Sequence, residues 1–175
     1  MSFEEIITKR GLSEKTGTPF THCSLCEQEL ATYDSFLTAK AYSSGACVLD
    51  AAQCFRCQSS SGYVSEQSME NLSLYAGRRF KTFLADRLER KMYHLQDPSC
   101  LVTGEELKLG DHFELYTLHV PGIDDSENNF FFVGPTAMEQ MSELLSEETR
   151  KSWGDFMDKI TPQTPDVIIS PLFIG

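Results

Sequence analysis

Two C-x-x-C pairs, Cys23-Ser-Leu-Cys26 and Cys54-Phe-Arg-Cys57, constrain this chain more than any other feature, and 27 residues lie between them. A tight turn aims both sulfurs of such a pair to one side, so two pairs can close a tetrahedral thiolate shell around one ion. A single pair would be weak evidence, whereas two at this separation point to a structural Zn²⁺ held by Cys23, Cys26, Cys54 and Cys57. The intervening length suits a β-hairpin that returns the chain to the first turn. Redox use of a C-x-x-C pair needs a low-pKa thiolate in a thioredoxin-like βαβ unit, and neither pair lies in one. A zinc-linked redox response, in which oxidation releases the metal, stays open. His22 adjoins the first pair and is read as a polar neighbour, while Cys47 and Cys100 are read as small buried residues.

The rest of the chain supplies a core around that staple. Of 175 residues, 41% are hydrophobic and twelve are Phe, enough for one domain or two small ones packed together. The pattern predicts a short helix over 3–10, strands over Ser35–Tyr42 and Ala46–Leu49, and a polar break at Ser59–Gly62. A long helix follows from about Ser65 to Leu95, with Met69, Leu72, Ala76, Phe80, Phe83, Leu84 and Leu88 at helical spacing. Asp97-Pro98 ends it and divides a half over 1–96 from one over 97–175. The second half reads as a strand at His112–Val120, a strand at Phe130–Val133, and a helix over Ala137–Leu145 opened by a Thr136/Glu139 capping box. A further helix runs from Ser146 to Ile160 with Trp153, Phe156, Met157 and Ile160 inward, and a strand lies at Val167–Ile169. The fold class is α+β.

The order of turn Cys23–Cys26, hairpin 35–49, pair Cys54/Cys57 and helix resembles the treble-clef and zinc-ribbon group of zinc fingers, over residues 22 to about 90. The resemblance implies a Cys₄ metal knuckle and names no specific family. That group commonly carries Gly after the second Cys of the knuckle, and Glu27 stands there. A second stretch echoes the first. Set His22–Tyr42 against Ser99–His119, and Cys23 meets Cys100, Glu29-Leu30 meets Glu106-Leu107, Asp34 meets Asp111 and Phe36 meets Phe113. Gly104 then falls where Glu27 stands. One reading makes the second half a degenerate, metal-free copy, with Phe130–Phe132 in place of the second cysteine pair. The other makes it an unrelated α+β half.

Function is less constrained. Net charge is −11, a surface that repels phosphate backbones, so nucleic acid is not the expected partner. The exception would be a local patch at Arg78, Arg79, Lys81 and Arg87. No apolar run reaches membrane-spanning length. The acidic opening lacks the apolar centre of a secretory leader, and six cysteines without one predict a reducing, cytoplasmic setting. No catalytic motif stands out: His112 and His119 have no fitting partners, His94 suits a helix C-terminus, and Asp124-Asp125-Ser-Glu127 lacks a full Ca²⁺-loop pattern. The expectation is a non-catalytic, zinc-stabilised scaffold whose partner is another protein. The alternatives are a nucleic-acid-associated zinc-ribbon factor and a zinc-linked redox-responsive protein.

Overall fold

The computed structural model describes residues 1–32, 35–60, 64–88, 98–122 and 129–160. The expectations for His94, the acidic loop 124–128, the last turns of the long helix beyond Leu88 and the strand at 167–169 lie outside these residues. So do the side chains of Leu84, Leu88, Phe156, Met157 and Ile160. Among the described residues the chain is mixed α+β, with one four-stranded antiparallel sheet and five α-helices.

Helix α1 (Phe3–Thr8) opens with a Ser2/Glu5 capping box, in which each side chain accepts from the other residue's backbone N–H. Strands β1 (Phe36–Ser43) and β2 (Ala46–Cys54) form a hairpin whose turn holds Ser44 and Gly45 at positive φ. The expected second strand ended at Leu49. It runs five residues further because Asp50–Cys54 continue to pair with Phe36–Lys40. Helix α2 (Phe55–Ser60) follows without a break, so part of the expected polar break is helical. The long helix α3 is described over Glu66–Leu88.

In the second half, β3 (Phe113–His119) and β4 (Phe130–Val133) pair with each other, and β3 also pairs with β1. The order is therefore β2-β1-β3-β4, one sheet with a hairpin from each half. The centre of the β1–β3 pairing is Ala39 opposite Tyr116, and it is flanked symmetrically by Phe36 opposite His119 and Tyr42 opposite Phe113. Both flanking ring pairs stack, at 4.4 and 5.2 Å between centroids.

Helix α4 (Pro135–Glu143) begins earlier than the Thr136/Glu139 capping box implied. Gly134 is its N-cap, and Pro135 sits in the first turn, where its fixed φ suits a helix and its missing N–H costs nothing. Helix α5 (Glu147–Ile160) starts after Ser146, as expected.

Both sheet faces are covered, which is why β1 is buried almost throughout instead of alternating. On one face Phe80 and Phe83 of α3 meet Phe131, which stacks on Tyr116. On the other, Phe3 of α1 packs against Phe113 and Phe132. On that second face Lys40, 1% exposed, would be an expensive charge to bury alone. Its Nζ donates to the Lys9 carbonyl at 3.0 Å and to Glu14 Oε1 at 2.8 Å, tying the N-terminal segment across the strands.

The contact between α3 and α5 is made by hydroxyls at their first turns. Ser65 N–H donates to Thr149 Oγ1 at 2.9 Å, and Ser146 N–H donates to Ser68 Oγ at 2.8 Å. Each helix therefore has its cap N–H satisfied by a hydroxyl of the other, and the four side chains also bond among themselves. Trp153 packs against the core from α5.

Candidate metal centre

The first cysteine pair sits in a turn that is closed by backbone hydrogen bonds. Cys23 N–H donates to the Gln28 carbonyl at 2.9 Å, Glu27 N–H to the Cys23 carbonyl at 2.9 Å, and Leu30 N–H to the Thr21 carbonyl at 2.9 Å. Closing this turn forces a positive φ of 58° on Glu27, which explains why glycine is favoured at that place. The knuckle is fixed to the sheet by Ser24, whose N–H donates to the Ala52 carbonyl at 2.7 Å and whose Oγ accepts from Ala52 N–H at 3.0 Å.

Cys54 ends β2 and Cys57 lies one turn into α2, so the strand-to-helix junction presents both sulfurs to the knuckle. The ligand atoms of Cys23, Cys26, Cys54 and Cys57 all lie within 4.8 Å of one another, and Cys26 Sγ is 3.9 Å from Cys54 Sγ. Four sulfurs at about 2.3 Å from a tetrahedral ion stand about 3.8 Å apart, so the set fits a metal and is too wide for a disulfide. All six cysteines are free thiols. Cys23 and Cys54 are buried and Cys26 and Cys57 partly so, within a small apolar group that includes Phe20, Leu30, Phe36 and Ala52. His22 is exposed and pairs with the Thr21 hydroxyl at 2.9 Å, outside the cluster.

The electrostatics favour a cation. Burial pushes the Cys23 thiol up, and burial and the adjacent sulfurs push Cys57 up. Burial also opposes ionisation of Cys26. The Gln28 backbone and the three neighbouring thiols outweigh it and bring Cys26 down to about 7. Cys54 N–H points at Cys23 Sγ from 3.5 Å, a donor suited to a thiolate. Four crowded sulfurs cannot all ionise without a positive charge among them, and a divalent metal would supply it. The ligand set can hold a metal ion.

The second half repeats the backbone hydrogen bonds of the first turn. Cys100 N–H donates to the Glu105 carbonyl at 2.9 Å, Gly104 N–H to the Cys100 carbonyl at 2.8 Å, and Leu107 N–H to the Pro98 carbonyl at 2.9 Å. Leu101 N–H reaches the Phe132 carbonyl at 2.8 Å, as Ser24 reaches Ala52. Gly104 takes the positive φ, at 76°. Its cysteine complement is missing. Gly134 follows β4 where Cys54 ends β2, Ala137 stands at the third helical position like Cys57, and Thr103 stands for Cys26. The sequence expectation put Phe130–Phe132 in this place. Their rings instead pack within the sheet's two faces, and the space beside Gly134 is taken by the side chains of Glu105 and Leu107. Glu105 Oε1 accepts the Thr136 N–H at 3.3 Å, so a carboxylate joins this knuckle to the start of its helix.

Of the other residues weighed from sequence, Cys47 is half-buried, with its thiol donating to the Leu49 carbonyl at 3.1 Å, and Cys100 is buried. His119 stacks on Phe36 and bonds the Thr38 hydroxyl at 3.2 Å. His112 precedes β3, and no second metal-ligating group forms among the described residues. Arg78, Arg79 and Lys81 are exposed on α3. No described helix is long and apolar enough to cross a membrane. The role of Glu105 had no motif to announce it, since it rests on Gly134, distant in sequence and adjacent in space. No protein-family model matches the chain, and no curated protein or solved structure matches it significantly.

Proposed function

We propose that the protein is a zinc-stabilised, non-catalytic scaffold with a treble-clef-type Cys₄ knuckle, whose second half is a metal-free copy of the same unit. The observation that carries this reading is the four-cysteine cluster, with every sulfur supplied by the knuckle or the strand-to-helix junction. Zinc is the ion that an all-thiolate tetrahedral set suits best, and four protein ligands leave no position for substrate or water. The matched knuckle bonds and the shared order of knuckle, hairpin and helix support the copy. An exposed stripe of Leu74, Arg78 and Lys81 on α3 suits a protein partner that is apolar and acidic at its contact.

X-ray absorption on the zinc-loaded protein tests this reading. Four sulfur scatterers at about 2.3 Å support it, and an oxygen or nitrogen scatterer in the shell contradicts the non-catalytic assignment. The same Arg78, Arg79 and Lys81 cluster favours a second reading, a nucleic-acid-associated factor. Salt-dependent binding lost in Arg78→Glu/Lys81→Glu would establish that alternative.

A further inference from the structure

The solvent face of α3 carries charges that its own fold leaves uncompensated. Glu66 and Glu70 are exposed and one helical turn apart, and so are Arg78 and Lys81. Like charges at these spacings lie on one side of a helix and repel each other. None of the four has an ion-pair partner among the described residues. The helix dipole favours acidic groups in the first turn and basic groups in the last, which accounts for Glu66 but not for Glu70, Arg78 or Lys81. Between the two pairs stands Leu74, 78% exposed. At 3.6 residues per turn, Glu70, Arg78 and Lys81 all point within about 40° of Leu74, with Glu66 at the margin of the stripe. The side chains that α3 buries, Leu72, Ala76 and Phe83, lie on the opposite side. Glu70 and Arg78 are equally far from Leu74, on either side of it. Turned end for end about Leu74, the stripe therefore presents base where it presented acid.

We propose that two copies of the chain associate through α3, with the helices antiparallel and Leu74 of one copy against Leu74 of the other at the two-fold axis. Glu70 of one copy then stands level with Arg78 of the second, each about 6 Å along the helix from the axis. Glu66 stands beside the second copy's Lys81, about 11 Å from the axis. Two-fold symmetry repeats each contact, so every uncompensated charge in the stripe meets one of opposite sign. A parallel pairing would set acid against acid and base against base, so the charges select the antiparallel one. Burying Leu74 against its copy supplies the apolar centre. Two helices touching over a few turns bury less than a standard interface, so the dimer is weak, with a dissociation constant on the order of 100 µM. The inference rests on the protein-partner reading of this stripe and names that partner as a second copy of the chain.

The test is sedimentation equilibrium of the full chain from about 10 µM to about 1 mM, at low and high salt. The dimer fills with concentration and weakens several-fold at high salt. Leu74→Glu keeps the chain monomeric across that range. So does each of two charge variants alone, Glu66→Lys/Glu70→Lys and Arg78→Glu/Lys81→Glu, because each sets like charges across the axis. Mixed in equal amounts, the two charge variants pair again, since every contact is then between opposite charges. Carrying all four charge changes in one chain likewise restores the self-pairing. These positions are exposed, and an unchanged unfolding midpoint confirms that each variant is folded. The proposal is overturned by a chain that is monomeric throughout, by a dimer that Leu74→Glu leaves intact, or by charge variants that do not pair on mixing. A monomeric chain whose metal shell holds four sulfur scatterers would remove the dimer and leave the scaffold reading standing. An oxygen or nitrogen scatterer beside a restored dimer would do the reverse.

Discussion

Glu27, Gly134 and Cys47 each hold a position that the fold makes unusual. Glu27 carries the positive φ that Gly104 carries at the matching turn, so Glu27→Gly is expected to stabilise the protein by about 0.5–1 kcal/mol in urea unfolding. A Cβ on Gly134 would collide with the Glu105 carboxylate and come within 2.7 Å of Leu107 Cδ2. Gly134→Ala is therefore expected to cost about 1–3 kcal/mol, with part recovered in the Glu105→Ala background, because the two side chains compete for one space. Burial, followed by the Glu14 and Asp50 carboxylates, pushes the Cys47 thiol up to about 12 despite Lys40. An acid whose folded pKa is raised binds its proton more tightly in the native state. Its contribution to stability is thus complete below the unfolded value, near 9, and is lost as pH rises from there towards about 12. Cys47→Ala should flatten the alkaline fall in stability measured by denaturant titration across that window. An unchanged slope would show that the thiol does not carry it.

At the scale of elements, the sequence displayed what local chemistry decides and concealed what contacts between distant segments decide. The knuckle, α1, the start of α5 and strands β1, β3 and β4 were legible, because cap residues, turn residues and apolar spacing act over a few positions. The end of β2 was not. Asp50–Cys54 extend because they pair with Phe36–Lys40, and that pairing also delivers Cys54 to the knuckle. The Thr136/Glu139 pattern was a valid capping signal that lost to Pro135 and to a carboxylate arriving from Glu105. The four cysteines were legible as a cluster because each C-x-x-C turn aims two sulfurs to one side and the hairpin returns the second pair to the first, whereas Glu105 meets Gly134 only through the fold. The hydroxyl junction of α3 and α5 is equally non-local. Ser68→Ala leaves the Ser146 N–H without its partner and is expected to cost about 1–3 kcal/mol. Ser73→Ala on the exposed side of α3 should stay within about 0.5 kcal/mol.

At the scale of the molecule, the central pairing of β1 with β3 joins the two hairpins, and the matched knuckles stand on either side of it. On the proposed reading, one knuckle is closed by metal and the other by the Glu105 carboxylate at a helix start. The positions that would restore a ligand set around Cys100 are then specified. Thr103→Cys, Gly134→Cys and Ala137→Cys, combined with Glu105→Ala to clear the space, should raise the metal content from one equivalent per chain to two. A folded variant that still binds one would refute the copy.

The central claim is that a single metal ion, zinc, holds the first knuckle closed. A structural site of this kind contributes on the order of 10 kcal/mol of binding free energy, so its loss should be felt throughout the shared sheet. The direct measurement is metal analysis of the purified protein with thiol titration before and after chelation. The account predicts one equivalent of zinc, protection of Cys23, Cys26, Cys54 and Cys57 until the metal is removed, and loss of cooperative unfolding in the chelated protein. A metal-free protein that is fully folded, with those four thiols freely reactive, would contradict it.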